Sequence, residues 1–116
     1  MKKLKPLLPS LREKKRYLVF EILSKNKINK FEDVSKAFWD QALSFLGNLG
    51  IARAGFWILA DKYDSNKQTG IMKVNHKNVD EARAVLSLVQ TINNQPVIMR
   101  SLGVTGILNK TKKYLG

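Results

Sequence analysis

Two segments with helical periodicity, each enclosed between β-favouring runs, restrict the fold of this 116-residue chain. Apolar residues recur over 31–49 and again over 79–92 at the spacing that places them on one face of a helix. β-branched and aromatic residues dominate four further runs, which are residues 16–23, 56–60, 70–74 and 97–102. The predicted order is therefore strand, helix, strand, strand, helix, strand.

This order is typical of a ferredoxin-like (RRM-like) βαββαβ fold of the α+β class. We expect a four-stranded antiparallel sheet with both helices on one face. Asn29 with Glu32, and Asn78 with Glu81, have the spacing of a capping box at the helix starts. Gly47 and Gly50 are predicted to mark the end of the first helix.

The predicted strands are apolar on both faces, which is unusual for a sheet that helices cover on one side only. We expect a C-terminal helix over 107–115 to cover the second face, with Tyr17 and Trp57 beneath it. Residues 1–15 contain Pro6 and Pro9 and no periodicity, so they are predicted to be a flexible basic arm. Residues 16–116 are then predicted to form a single ferredoxin-like domain.

Charge favours a nucleic acid as the partner. The chain has 21 Lys and Arg against 9 Asp and Glu, a net charge of +12. Residues 1–16 hold seven basic and one acidic residue, and residues 107–116 hold three basic and none acidic. A solvated charge run is the alternative interpretation of both ends.

Catalytic and metal-binding motifs are weak. The chain has no cysteine, and His76 is its only histidine, which indicates an ordinary surface residue. Asp61 and Asp64 suit a turn better than a cation site. The basic N-terminus lacks the apolar segment of a secretory signal, and no apolar run could span a bilayer. We expect a soluble, cytoplasmic protein that has no membrane partner and binds no cofactor itself.

The candidate RNA-binding residues lie in three groups. The first is the cluster before strand one, where Arg can grip phosphate bidentately and Lys acts as a point charge. The second is a glycine loop whose backbone N–H groups suit a phosphate, although plain turn formation is equally favoured. The third is the basic C-terminal segment. The residues are Arg12, Lys14, Lys15 and Arg16; Gly103, Thr105 and Gly106; and Lys110, Lys112 and Lys113.

A second apolar stripe on helix one is formed by Trp39, Leu43 and Leu46. It lies beside the stripe that contains Phe31 and Phe38 at about 100° per residue. The stripe is either a protein interface or an extension of the core.

The segment "PSLREKKRYLVFEI" resembles the opening of the archaeal ribonuclease P protein component 2 family, in which Pro, Arg and Lys-Lys-Arg-Tyr lead into the first strand. Similarity continues in Gly47, Gly50 and Gly55, in Tyr63-Asp64 and in "NVDEARAVLSLVQTI". "LGVTGILNKTKKYL" is similar to the family's Gly-Val-Ser-Gly-Thr close and basic helix. The chain differs at Thr105 and Ile107, where Ser and Thr are usual, and at "MKV", where an Arg-Cys pair is common.

The resemblance implies a subunit of the ribonucleoprotein that removes the 5′ leader from precursor tRNA. It implies that the RNA component performs the hydrolysis with Mg²⁺, and that the protein is not an enzyme on its own. The implied partners are the catalytic domain of ribonuclease P RNA and ribonuclease P protein component 3, in a heterotetramer with two copies of each; precursor tRNA would be contacted indirectly. A ribosome-associated or purely protein-binding basic ferredoxin-like module is the alternative.

Overall fold

Five strands form one antiparallel sheet in the computed structural model, which describes residues 14–115. Within these residues, three helices and three single 3-10 turns complete the α+β fold. The elements are β1 (Lys15–Ser24), α1 (Phe31–Ala54), β2 (Trp57–Ile58), β3 (Thr69–Asn75), α2 (Val79–Leu88), β4 (Thr91–Ile92), β5 (Gln95–Thr105) and α3 (Lys112–Leu115). The 3-10 turns are Ala60–Lys62, His76–Asn78 and Leu108–Thr111.

The sheet has the strand order β2-β3-β1-β5-β4, with β1 at its centre. The prediction of four strands was therefore wrong by one. Helix α2 ends at Leu88, and β4 pairs with β5 in a hairpin. Asn93 and Asn94 have φ angles of 55° and 65°, and two consecutive positive φ angles are what a two-residue hairpin turn requires. The apolar periodicity over 79–92 predicted a helix through Ile92 and therefore missed this hairpin.

Helix α1 continues to Ala54, beyond its predicted end at Gly47 and Gly50. Gly47, with φ 73° and ψ 174°, interrupts the helical backbone without ending the helix. The helix ends at Gly55, a left-handed residue whose N–H donates to Ile51 O at 3.3 Å, as glycine C-caps do. Its N-cap is Lys30 rather than Asn29, and neither Lys30 nor Asn78 makes a side-chain cap hydrogen bond.

The core lies between the sheet and helices α1 and α2. Leu18 and Phe20 of β1 point into it and meet Val34 and Phe38 of α1 and Val85 of α2, all of which are buried. Burial of each such side chain stabilises the fold by about 1.5–3 kcal/mol. Both helices therefore pack on the same face of the sheet, as predicted.

The opposite face of the sheet, here called the outer face, carries Val19 and Ile71. Both are buried although neither belongs to the core beneath the helices. The segment 107–115 covers them: Leu108 and Leu115 border Ile71, and a side chain at Gly103 would collide with the ring of Tyr114. This cover agrees with the sequence prediction. It does not reach Trp57, which is 63% exposed, so the prediction that Trp57 lies beneath it was wrong.

Candidate nucleic-acid interface

The start of β1 lies beside the ends of β3 and β5 because both strands run antiparallel to it. Lys15 is opposite Asn75 of β3, and Tyr17 is opposite Thr105 of β5. Three chain segments that are distant in sequence therefore meet at one end of the sheet. We call this the basic end and define it by Lys14, Lys15, Arg16, His76 and Lys77, with Gly106 beside them.

Asn75 holds the basic end to helix α1. Its side chain is 1% exposed, and its Nδ2 donates to Arg53 O, at the C-terminal end of the helix, at 2.8 Å. Lys15 Nζ donates to Asn75 Oδ1. Since a buried amide without partners is costly, these two bonds fix where β1 begins. Lys15 is half-buried as a result, and part of its ammonium is committed to Asn75.

Arg16 and the glycine loop lie in contact. Arg16 Nη1 donates to Lys15 O at 3.1 Å, and a Cβ at Gly106 would stand 3.4 Å from the same Nη1. Thr105 Oγ1 accepts the Ile107 N–H at 3.3 Å. The guanidinium is therefore positioned over the loop, while the Thr105 hydroxyl shapes the turn itself.

His76 and Lys77 belong to the basic end, and the sequence analysis missed both. The His76 N–H donates to Lys14 O at 2.9 Å, which continues the β1–β3 pairing by one residue. Its Nδ1 lies 3.2 Å from the same oxygen. Lys77 follows on the exposed side. The antiparallel β1–β3 pairing was the available signal, because it requires the end of strand three to meet the start of strand one.

Ion pairs between described residues lie on other parts of the surface. Arg100 Nη2 contacts Glu21 Oε2 at 2.5 Å further along the sheet, and Lys36 and Arg83 pair with carboxylates on the helices. Within residues 14–115, Lys14, Lys15 and Arg16 form no ion pair with a carboxylate. Cations concentrated at one end of a rigid sheet attract a polyanion.

The other candidate RNA-binding residues that the structure describes are not at the basic end. Arg12 lies outside the described residues. Gly103 lies beneath Tyr114, so the approach of that ring accounts for a glycine at this position. The three candidate lysines of the C-terminal segment lie near two further lysines that were not predicted. Lys112 and Lys62 border one cavity, and Lys67 Nζ donates to Leu115 O at 3.3 Å. We call this group the C-terminal basic cluster: Lys62, Lys67, Lys110, Lys112 and Lys113.

The stripe on helix α1 divides between core and surface. Trp39 and Leu46 pack against the core, and the Trp39 ring centroid is 5.7 Å from that of Phe38 and 6.3 Å from that of Phe56. Leu43 is 48% exposed. Of the three residues, Leu43 alone is chiefly a surface residue.

The Asp64 side chain stabilises a turn, as predicted. Its Oδ1 accepts the N–H groups of Asn66 at 2.9 Å and Lys67 at 3.2 Å. Across the described part of the chain, His, Asp and Glu side chains do not come together in threes as a metal site would need. None of the helices within 14–115 has the length and apolarity to cross a membrane.

Comparison with known proteins identifies similar chains. Residues 16–116 match the model of the Rpp14/Pop5 family. Ribonuclease P protein component 2 of Thermococcus kodakarensis is 41% identical over 109 residues, which cover 94% of this chain and 88% of the relative. The protein of the same name from Methanocaldococcus jannaschii is 37% identical over 114 residues, covering 97% and 81%. A chain in the cryo-EM structure of yeast ribonuclease MRP has a similar fold, with a TM-score of 0.63 at 13% identity over 81% of this chain and 75% of that chain.

Proposed function

This chain belongs to the Rpp14/Pop5 family and is a protein subunit of ribonuclease P, and we propose that its part in that particle is to bind and stabilise the RNA. In this proposal the RNA removes the 5′ leader of precursor tRNA with its own Mg²⁺, in the cytoplasm, and the protein takes no chemical step. We also assign the central strands, in the order β2-β3-β1-β5, to the ferredoxin-like class, with β4 as an added edge strand.

The observation that carries the proposal is the basic end. Strand pairing brings the cations at the start of β1 and Lys77 of the 3-10 turn after β3 together on a scaffold that Asn75 fixes to helix α1. Neutralising phosphate at close range releases counterions, which supplies affinity without base recognition. We place the catalytic domain of the RNA against this end. Cations, and not carboxylates, cluster at this end of the sheet. This favours RNA binding by the protein over RNA hydrolysis.

The helices offer a different kind of surface, which suits a protein partner. Helix α1 has three acidic and two basic residues, and α2 has two acidic and one basic, so each is net negative in a chain of charge +12. Leu43, Phe45 and Leu49 of α1 are 48%, 49% and 64% exposed. Large exposed apolar side chains on a helix favour a partner that buries them. We assign it to ribonuclease P protein component 3, in a heterotetramer with two copies of each chain; precursor tRNA is then contacted through the RNA.

Reconstituted cleavage of precursor tRNA tests the proposal. We expect the protein alone to give no cleavage. Added with component 3 to the RNA, it should raise the cleavage rate or lower the Mg²⁺ requirement, because bound cations offset repulsion within the folded RNA.

Two results would contradict the proposal: sustained turnover by the RNA-free protein, or an RNA whose rate and Mg²⁺ dependence stay the same when both proteins are added. Co-sedimentation with ribosomes in place of ribonuclease P RNA would instead support the ribosome-associated alternative. The ribonuclease P relatives argue against that alternative.

A further inference from the structure

Trp57 is a large aromatic side chain exposed on a short edge strand. It is 63% exposed, whereas its neighbour Ile58 is buried. The ring borders a surface cavity of about 260 Å³ whose walls include Phe31, Ser35 and Trp39. Space for a flat ligand therefore exists beside the indole.

Sheet pairing places Trp57 at the end of a row that crosses three further strands. Trp57 is opposite Lys73, Lys73 is opposite Tyr17, and Tyr17 is opposite Thr105. Lys73, Tyr17 and Thr105 are half-buried. The row thus joins two aromatic side chains and a cation on one line across the sheet.

Positive charge lies on both sides of this row. Towards the basic end, the next row on the same face of the sheet contains Lys15 opposite Asn75. On the other side of the row, the Leu59 N–H donates to Ile71 O. The segment 107–115 covers Ile71, and this segment carries three lysines of the C-terminal basic cluster. The turn after β2 holds Asp61 as well as Lys62, so one carboxylate lies near this edge. A polyanion that runs over the outer face from one cationic group to the other crosses this row.

We propose that Trp57 is a stacking platform for an unpaired base of RNA whose backbone runs between the basic end and the C-terminal basic cluster. A flanking cationic track with an exposed aromatic is the combination by which proteins hold single-stranded nucleic acid, and any base can stack because every base has a π-face. Lys73 lies in the same row to meet an adjoining phosphate. This inference rests on the proposed function and adds to it a site for single-stranded RNA.

Binding of a labelled single-stranded 12-nucleotide RNA tests the site. Trp57→Ala should weaken binding about tenfold, the loss typical of one stacked base, and leave the salt dependence unchanged because no charge is removed. Trp57→Phe should retain most of the affinity. Ile98→Ala is the matched control: Ile98 is 61% exposed on another strand of the sheet, and its loss should not alter binding. The same RNA annealed to its complement should not distinguish Trp57→Ala from the wild type.

Wild-type affinity in a folded Trp57→Ala protein would overturn the inference, as would equal losses for single-stranded and duplex RNA. Loss of component 3 binding in Trp57→Ala, with RNA affinity intact, would show a protein contact instead and would overturn it too. Replacing Lys14, Lys15 and Arg16 of the basic end by alanine distinguishes failure of the stacking site from failure of the proposed function. If that change weakens RNA binding and Trp57→Ala does not, the stacking site alone is wrong; if neither change matters, the proposed function is wrong.

Discussion

Replacing Arg12, Lys14, Lys15 and Arg16 together by alanine is expected to lower affinity for ribonuclease P RNA by up to about a thousandfold near 0.1 M salt. If each residue neutralises one phosphate, the slope of log affinity against log salt should become shallower by about three to four units. The fold should survive because the core side chains Leu18 and Phe20 are untouched. Loss of the Lys15 bond to Asn75 should cost about 1 kcal/mol of stability. Titrations at several salt concentrations give both quantities.

A matched control removes the same number of charges elsewhere. Lys25, Lys27, Lys30 and Lys36 are all exposed, and the first three lie in the loop that follows the far end of β1. Replacing these four by alanine should leave the slope close to that of the wild type. Equal slopes in the two quadruple variants would show that net charge, and not the basic end, determines RNA binding.

Trp39→Ala is expected to reduce the free energy of unfolding by about 3 kcal/mol, because large aromatic truncations in a core cost about 3–5 kcal/mol and Trp39 is only partly buried. Its ring packs against Phe38 and Phe56, whose own centroids are 5.4 Å apart. Leu43→Ala, on the same helix but 48% exposed, should change stability by less than about 0.5 kcal/mol. Urea denaturation of both variants measures the difference.

The same pair of variants separates the core from the protein interface. We expect Leu43→Ala to stay folded and to bind component 3 more weakly, since exposed apolar side chains contribute to binding when a partner buries them. Equal stability losses in the two variants would contradict the division of the stripe. A Trp39→Ala protein as stable as the wild type would contradict the packing around Phe38.

Much of the fold was predictable because the spacing of apolar residues along the chain indicates which face of a helix or strand is buried. The two helices and the long strands β1, β3 and β5 were located to within a few residues at most ends. The errors fell where one local signal has two structural outcomes. Gly47 can end a helix or interrupt it, and the turn at Asn93 and Asn94 can stop a helix or form a hairpin with positive φ angles. In both cases, contacts between residues that are distant in sequence determine which of the two structures forms.

The candidate site was predictable in part for the same reason. The cluster at Lys14, Lys15 and Arg16 is a run in the sequence, so composition alone revealed it. His76 and Lys77 lie some sixty residues later and join it only through strand pairing. Exposure of Trp57 was predicted incorrectly because it depends on how far the C-terminal segment reaches across the outer face. Sequence patterns carry no information about that distance.

Site-specific crosslinking in the assembled particle tests most directly the claim that the basic end binds RNA and helix α1 binds protein. A photoreactive p-benzoylphenylalanine would replace Lys77, which is exposed at the basic end, in one variant and Leu49, which is 64% exposed on α1, in another. We predict crosslinks from position 77 to ribonuclease P RNA and from position 49 to component 3. RNA crosslinks from position 49 together with none from position 77 would contradict this account.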